Sequence, residues 1–226
     1  MSRKFEVRRE VVLPAAPEQV WQAIATPEGQ AAWFMSLDDE SADTLVKAAT
    51  EGEGRRLEIT AGTHAFEYIV EAGSGATTVL RFVHSGVLDD EWGDEYESMT
   101  GHGWDLYLFT LGEYLKHFPG RSSVYGSAEA PPGRDVWVKL LDTLGDPAVG
   151  ETVRLPIGAG VVDLRNDHYL GIRTGNALVR FHERSKLGMP LAVGHHDYGP
   201  GADPEQIGAT WSGWLATTAN HTSRDN

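Results

Sequence analysis

The order of apolar and polar residues divides the first half of the chain into strands and helices. The segment Phe5 to Leu13 is rich in valine and alternates in part, which predicts a strand. Pro17 suits the first turn of a helix, because its missing N–H needs no partner there. Pro27 ends that helix, and a second short helix is predicted over residues 28–33. Three further strands are predicted from β-branched and aromatic residues in alternation, over residues 55–60, 65–71 and 77–84.

A long helix over residues 98–118 is the clearest element that the pattern predicts. Its apolar positions step by three residues and by one, which places them on a single helix face. They are Trp104, Tyr107, Leu108, Leu111, Tyr114, Leu115 and Phe118. Pro119 and Gly120 then end the helix.

The second half follows a Ser-, Gly- and Pro-rich segment over residues 120–133, which predicts a linker between a domain over 1–119 and a module over 134–226 packed on it. Helices are predicted around Trp137 to Leu144 and from Asp203, with strands over 161–164, 169–173, 178–182 and 191–194.

A short pattern of the first half recurs in the second. Leu80-Arg-Phe82 ahead of Trp104 resembles Val179-Arg-Phe181 ahead of Trp211. This indicates either a decayed duplication or the chance recurrence of a strand followed by an amphipathic helix, and both readings stay open. The pattern shows no leading strand for a second complete copy.

Composition and charge exclude several classes of function. The chain has 226 residues and no cysteine, so disulfides, thiol nucleophiles and thiolate metal sites are excluded. With 19 basic and 33 acidic residues its net charge is −14, so we expect neither nucleic acid nor an anionic membrane as a partner. The charged N-terminus and the lack of a long apolar stretch predict a cytoplasmic protein.

Metal-ligating residue types cluster at His195, His196 and Asp197, with His182 and Glu183 as further candidates. Adjacent residues of a strand point to opposite faces, so the neighbouring histidines would rarely share one ion. The chain also lacks an H-E-x-x-H motif and a glycine-rich phosphate-binding loop. We therefore predict no metal site and no cofactor.

Four motifs in the first 118 residues occur in an order that is typical of one protein family. They are Pro17-Glu-Gln-Val-Trp-Gln-Ala-Ile24, Thr26-Pro-Glu-Gly29 followed by Trp33-Phe34, Arg81-Phe-Val-His-Ser-Gly86, and Gly103-Trp-Asp-Leu-Tyr-Leu108. In this order they resemble the activator of Hsp90 ATPase family of the START-like (SRPBCC) superfamily. The resemblance implies an α+β helix-grip fold, in which a curved antiparallel sheet surrounds a long C-terminal helix. The rest of the chain is predicted to be a smaller α+β module, either a partial second copy or unrelated.

The resemblance also implies a cavity between the sheet and the long helix, which many relatives use for small apolar molecules. The predicted function is therefore to bind a small hydrophobic or aromatic molecule. The expected lining residues are Trp33, Phe66, Tyr68, Phe82, His84, Trp104, Tyr107, Leu108 and Leu111. The simpler alternative is that these side chains fill the core.

Two other functions remain as alternatives. One is a cyclase- or hydrolase-like enzyme in the same cavity, with His84 as a weak catalytic candidate because histidine titrates near neutral pH, assisted by Tyr68 or Tyr107. The other is a protein-interaction module related to Hsp90 regulation. The tryptophans of the second half, Trp137, Trp211 and Trp214, are further expected to cover an interdomain contact or a homodimer interface.

Overall fold

A computed structural model describes residues 3–35, 45–51, 54–88, 94–133 and 135–220. The chain forms two compact units, which divide between Ser122 and Ser123. Within the described residues, no helix is both long and apolar enough to cross a membrane.

The first unit is a five-stranded antiparallel sheet with a long helix at its C-terminal end. Its elements are β1 (Arg3–Leu13), α1 (Pro17–Ala25), α2 (Pro27–Ala31), β2 (Leu45–Glu51), β3 (Gly54–Ala61), β4 (His64–Ala72), β5 (Thr78–Leu88) and α3 (Asp94–His117). The strand order is β1-β5-β4-β3-β2, so the first strand pairs with the last. This confirms the predicted antiparallel sheet and the predicted α+β class. The long helix begins at Asp94, earlier than the predicted residue 98.

Local hydrogen bonds explain the start of the two short helices. Ala16 has no capping side chain, and its N–H instead donates to Gln19 Oε1 at 3.2 Å. The Thr26 hydroxyl accepts from the Gly29 N–H at 3.0 Å and donates to the carbonyl oxygen of Gln22 at 2.8 Å. Thr26 therefore joins the end of α1 to the start of α2.

The second unit is a six-stranded antiparallel sheet that also ends in a helix. Its elements are β6 (Val124–Glu129), α4 (Val136–Leu144), β7 (Thr152–Leu155), β8 (Gly158–Arg165), β9 (Tyr169–Arg173), β10 (Ala177–His182), β11 (Ala192–Asp197) and α5 (Pro204–Ala219). The strand order is β6-β11-β10-β9-β8-β7, so here too the first strand pairs with the last. Asp203 caps α5 by accepting from the Gln206 N–H at 2.9 Å.

Strand β6 corrects the prediction that residues 120–133 are a linker and that the second half lacks a leading strand. Gly126 lies in the middle of this strand, and a Cβ there would approach the Ile207 side chain of α5 within 2.5 Å. The glycine is therefore needed for close contact between strand and helix, and does not mark a flexible segment.

The two units share one topology: a leading strand, a helical segment, a meander and a closing helix. The strand that corresponds to β5 is β11, because each pairs with its unit's first strand and immediately precedes its closing helix. Val179-Arg-Phe181 is therefore not the structural equivalent of Leu80-Arg-Phe82. It lies on β10, whereas the counterpart of β5 is the next strand, β11.

Candidate functional site

Strand β5 brings the predicted site residues of the first unit onto one face of the sheet. Phe82 and His84 alternate with outward residues along β5, and they face Tyr68 and Phe66 on β4. Trp104 of α3 packs on this face, with its ring centroid 4.0 Å from that of Phe82 and 5.8 Å from that of Phe66. The predicted face of α3 and the predicted face of the sheet therefore meet.

The nine predicted residues contribute mainly to the packed interior of the unit. Seven of them are buried, namely Trp33, Tyr68, Phe82, His84, Trp104, Leu108 and Leu111, whereas Phe66 and Tyr107 are half-buried. Three clefts in the described parts of the chain have volumes of about 500, 330 and 280 Å³, and none of the nine residues lines any of them. Several of these side chains contact one another, as the ring pairs Tyr68–Phe82 and Phe82–Trp104 show, with centroids 4.9 and 4.0 Å apart.

Hydrogen bonds join Trp104 of α3 through His84 of β5 to His64 of β4. The Trp104 indole N–H donates to His84 Nδ1 at 2.9 Å, and His84 Nε2 lies 3.0 Å from His64 Nδ1. Because an indole N–H can only donate, Nδ1 carries no proton, and neutral His84 must carry its proton on Nε2. That proton is donated to His64, whose ring is half-buried.

Gly86 makes room for this pair of histidines. It faces both Phe5 of β1 and His64 of β4 in the sheet register. A Cβ at residue 86 would lie 2.7 Å from the Phe5 ring and 2.8 Å from His64 Nδ1. Any larger residue would therefore displace the His64 imidazole from His84.

The environment of His84 keeps it neutral. Burial, and then the nearby His64, lower the pKa of His84 to about 4. A second proton would have to occupy Nδ1, which already accepts the Trp104 N–H. Burial likewise raises the pKa of the Tyr68 phenol, and the Tyr107 hydroxyl contacts Met35 Sδ at 3.0 Å. Neither His84 nor Tyr68 is therefore poised to exchange protons near pH 7, which favours a positioning role for His84.

Two members of this cluster, Phe34 and His64, were not among the predicted residues. The Phe34 ring stacks on Trp104 at 5.5 Å with an interplanar angle of 12°, and its centroid lies 4.5 Å from that of Tyr107. Its position next to Trp33 in the Trp-Phe motif could have identified Phe34 as a member of this cluster from the sequence. His64 begins a strand and carried no such signal, because only the β4–β5 register places it beside His84.

The second unit repeats the histidine–tryptophan contact. The Trp211 indole N–H of α5 donates to His195 Nδ1 of β11 at 3.0 Å, and the ring centroids lie 5.9 Å apart at 82°. The corresponding values for Trp104 and His84 are 5.8 Å and 74°. In each unit the closing helix therefore holds a histidine of the last strand in the same tautomer.

His195 has a different neighbour on its other side. Its Nε2 lies 3.8 Å from Asp197 Oδ2, too far for a hydrogen bond, and it has no hydrogen-bond partner among the described residues. His195 and Asp197 both line the 500 Å³ cleft. In the sequence, both residues stand out only as candidate metal ligands. His196 contacts Tyr125 on the other side of the strand, as expected for adjacent residues.

The strand order and the closing helix define both units as α+β helix-grip folds. No protein-family model and no curated protein matches the sequence. Among solved structures, DynU16 from the dynemicin biosynthetic locus is 16% identical, with 95% of each chain covered and a TM-score of 0.38.

Two further solved structures match about half of the chain. The Aha1 dimer from Colwellia psychrerythraea is 15% identical, covers 49% of this chain and 96% of its own, and has a TM-score of 0.37. CalU16 from Micromonospora echinospora is 16% identical, covers 53% of this chain and 86% of its own, and has a TM-score of 0.36. Because these scores are low, the fold assignment rests on the strand order and not on the likenesses.

Proposed function

We propose that the first unit binds a small hydrophobic, aromatic molecule at the aromatic rim, which consists of Phe34, Phe66 and Tyr107. The observation that carries this proposal is that Phe34 and Phe66, which are half-buried, each stack on a buried partner. Phe34 stacks on Trp104, and Phe66 stacks on His84 with centroids 4.3 Å apart and an interplanar angle of 23°. A planar guest would extend these stacks over the exposed parts of the two residues.

The chemistry next to the rim supports an uncharged, mainly apolar guest. Met35, which is 42% exposed, contacts Tyr107 and supplies a flexible apolar surface. The nearby His64 offers one polar contact at the end of the Trp104–His84–His64 chain. A site with extensive aromatic surface and few polar groups suits a hydrophobic small molecule.

Titration with N-phenyl-1-naphthylamine, a neutral aromatic probe, tests this proposal. We expect saturable binding that shifts the indole N–H signal of Trp104 in a 1H–15N spectrum and leaves that of Trp211 in place. Phe66→Ala should weaken binding at least tenfold, because it removes one of the two stacks.

Phe109→Ala is the matched control. Phe109 is also half-buried, and it lies on α3 two residues beyond Tyr107, so it occupies a different face of that helix. We expect this variant to retain the affinity of the wild type. Binding that is not saturable, or that both variants weaken equally, would contradict the proposal.

Regulation of a chaperone ATPase stays an alternative prediction, which rests only on the motifs of residues 17–34 and 81–108. The catalytic alternative has less support, because both ring nitrogens of His84 are occupied. Homodimerisation also stays a prediction. Trp211 is not available for a dimer interface, since it is fully buried among Phe181, Trp214 and His195 of its own unit.

A further inference from the structure

The second unit contains an open cleft of about 500 Å³ at one end of its sheet. The cleft lies between the β7–β8 turn, the β9–β10 turn, the end of β11 and the first turns of α5. This volume is within the usual range for small-molecule sites, which is roughly 300–1,000 Å³.

A buried donor without a partner lies at this cleft. His195 is 2% exposed, and the Trp211 N–H fixes its Nδ1 as an acceptor, so neutral His195 carries its proton on Nε2. Burial lowers the pKa of His195, which keeps the ring neutral near pH 7. A buried N–H without an acceptor is destabilising, so an incoming acceptor atom would be bound favourably.

Asp197 supplies the complementary acceptor. Its Oδ1 accepts from the Gly199 N–H at 2.7 Å, which fixes the carboxylate, and its Oδ2 lies 3.8 Å from His195 Nε2. An oxygen atom at about 2.8 Å from both atoms would fit this separation and form two hydrogen bonds of ordinary length. A hydroxyl group suits both, because it accepts from His195 and donates to Asp197.

The remaining lining determines the charge and polarity of the ligand. The described residues that line the cleft include two aspartates, Asp197 and Asp203, and neither lysine nor arginine, so this lining disfavours an anion. A cationic group could not accept the His195 proton. Thr174, Asn176 and Gln206 add polar side chains around the opening. We propose that this cleft binds an uncharged, hydroxyl-rich small molecule, with one hydroxyl between His195 and Asp197.

The proposal concerns a different unit from the aromatic rim and goes beyond the proposed function. Titration with myo-inositol tests it, with the indole N–H signal of Trp211 as the reporter. A hydroxyl bound to His195 Nε2 polarises the imidazole and thereby changes the hydrogen bond at Nδ1. We expect a saturable shift of the Trp211 signal, while the Trp104 signal stays in place.

Variants of residues that line the cleft test the proposed contacts. Asp197→Asn should weaken binding at least tenfold, since the amide cannot replace both roles of the carboxylate. Asp142→Asn is the matched control, because it makes the same change at an exposed position of α4 outside the cleft. Gln206→Ala provides a second variant that leaves the backbone cap of α5 intact, and it should weaken binding to a smaller extent.

Four results would overturn the proposal. They are the absence of a saturable shift with myo-inositol, equal weakening by Asp142→Asn and Asp197→Asn, tighter binding of inositol monophosphate, and tighter binding of protonated glucosamine. Any of them would show that the space between His195 and Asp197 holds only water or selects a charged ligand. A negative result with myo-inositol leaves the response of Trp104 to N-phenyl-1-naphthylamine unaffected, so the two proposals fail separately.

Discussion

The two units hold a histidine in the same way and surround it differently. In both, a tryptophan of the closing helix donates its indole N–H to Nδ1 of a histidine on the last strand, at 2.9 Å in the first unit and 3.0 Å in the second. In the first unit, His84 Nε2 lies 3.0 Å from Nδ1 of a second histidine, His64, and the rings of Phe5 and Phe66 contact His84. In the second unit, His195 Nε2 has no hydrogen-bond partner among the residues that the structure describes, and His195 lines a polar cleft.

The comparison distinguishes the histidine–tryptophan contact, which both units share, from the residue next to the histidine Nε2, which differs. The histidine–tryptophan contact fixes a closing helix against the last strand in each unit. The residue next to Nε2 then differs: His64 lies within hydrogen-bond distance of His84 Nε2, whereas Asp197 lies 3.8 Å from His195 Nε2. The histidine–tryptophan contact is therefore common to both units, and the neighbour of Nε2 is specific to each.

The largest expected effect comes from a buried ion pair of the second unit. Arg180 binds Asp163 through two hydrogen bonds of 3.0 and 3.1 Å, and their side chains are only 4% and 7% exposed. Asp163→Asn should destabilise the second unit by about 3–5 kcal/mol, because the buried guanidinium loses the carboxylate that accepts two of its hydrogen bonds. Urea titration followed through the backbone amide signals of Leu111 and Leu215, buried in the first and second units, measures each unit separately.

Glu10→Gln is the control for that experiment. Glu10 pairs with Arg81 at 2.8 Å in the first unit, but the two side chains are 62% and 47% exposed. Its loss should destabilise the first unit far less than Asp163→Asn destabilises the second, because solvent screens an exposed ion pair. Equal effects of the two variants would show that burial does not distinguish these ion pairs.

A pH dependence of intermediate size should arise from His84. When unfolded, His84 binds a proton near pH 6.5, but in the folded unit its pKa is about 4. As the pH falls through this interval the unfolded state is protonated first, so the first unit should lose on the order of 3 kcal/mol. Below about pH 4 this contribution no longer changes.

His84→Gln should remove this part of the pH dependence. The glutamine does not titrate, so the stability reported by Leu111 should depend less steeply on pH between 4 and 6.5. The stability reported by Leu215 should keep its dependence on pH, because the folded environment also lowers the pKa values of His182 and His195. An unchanged slope at Leu111 would show that His84 is not held neutral.

The smallest expected effects test whether the two histidine–tryptophan contacts are equivalent. Trp104→Phe and Trp211→Phe each remove the indole donor and leave a buried Nδ1 without a partner. Each should destabilise its own unit by roughly 1–3 kcal/mol and leave the other unit unchanged. A loss in only one unit would show that the shared geometry does not have the same energetic role in both.

Much of the fold could be predicted because a helix or strand that buries one face carries apolar residues at regular spacing in the sequence. The stripe from Trp104 to Phe118 and the alternation in β5 are of this kind. Strands β2, β6 and β7 were not predicted, and the reason is visible for two of them. Strand β7 has only four residues, and β6 contains Gly126, which reads as a linker until Ile207 is seen against it.

The candidate sites were predicted less completely than the fold. The predicted set identified the buried partners, such as Phe82 and Trp104, because burial and aromatic character are visible in sequence. The role of His195 depends instead on which nitrogen Trp211 contacts, and His64 reaches His84 only because Gly86 leaves space for it. Contacts of this kind lie between residues distant in sequence and leave no local pattern.

The sequence by itself determined the alternation of strands, the closing helices and the strongly acidic charge, because each depends on residue type and short-range spacing. The tertiary structure decided that the second half has its own leading strand. It also decided that two histidines occupy equivalent positions and that only one of them retains an unpaired nitrogen. The physical reason is that strand register and helix docking bring distant side chains within hydrogen-bonding distance, and such distances are set by the packing of the whole unit.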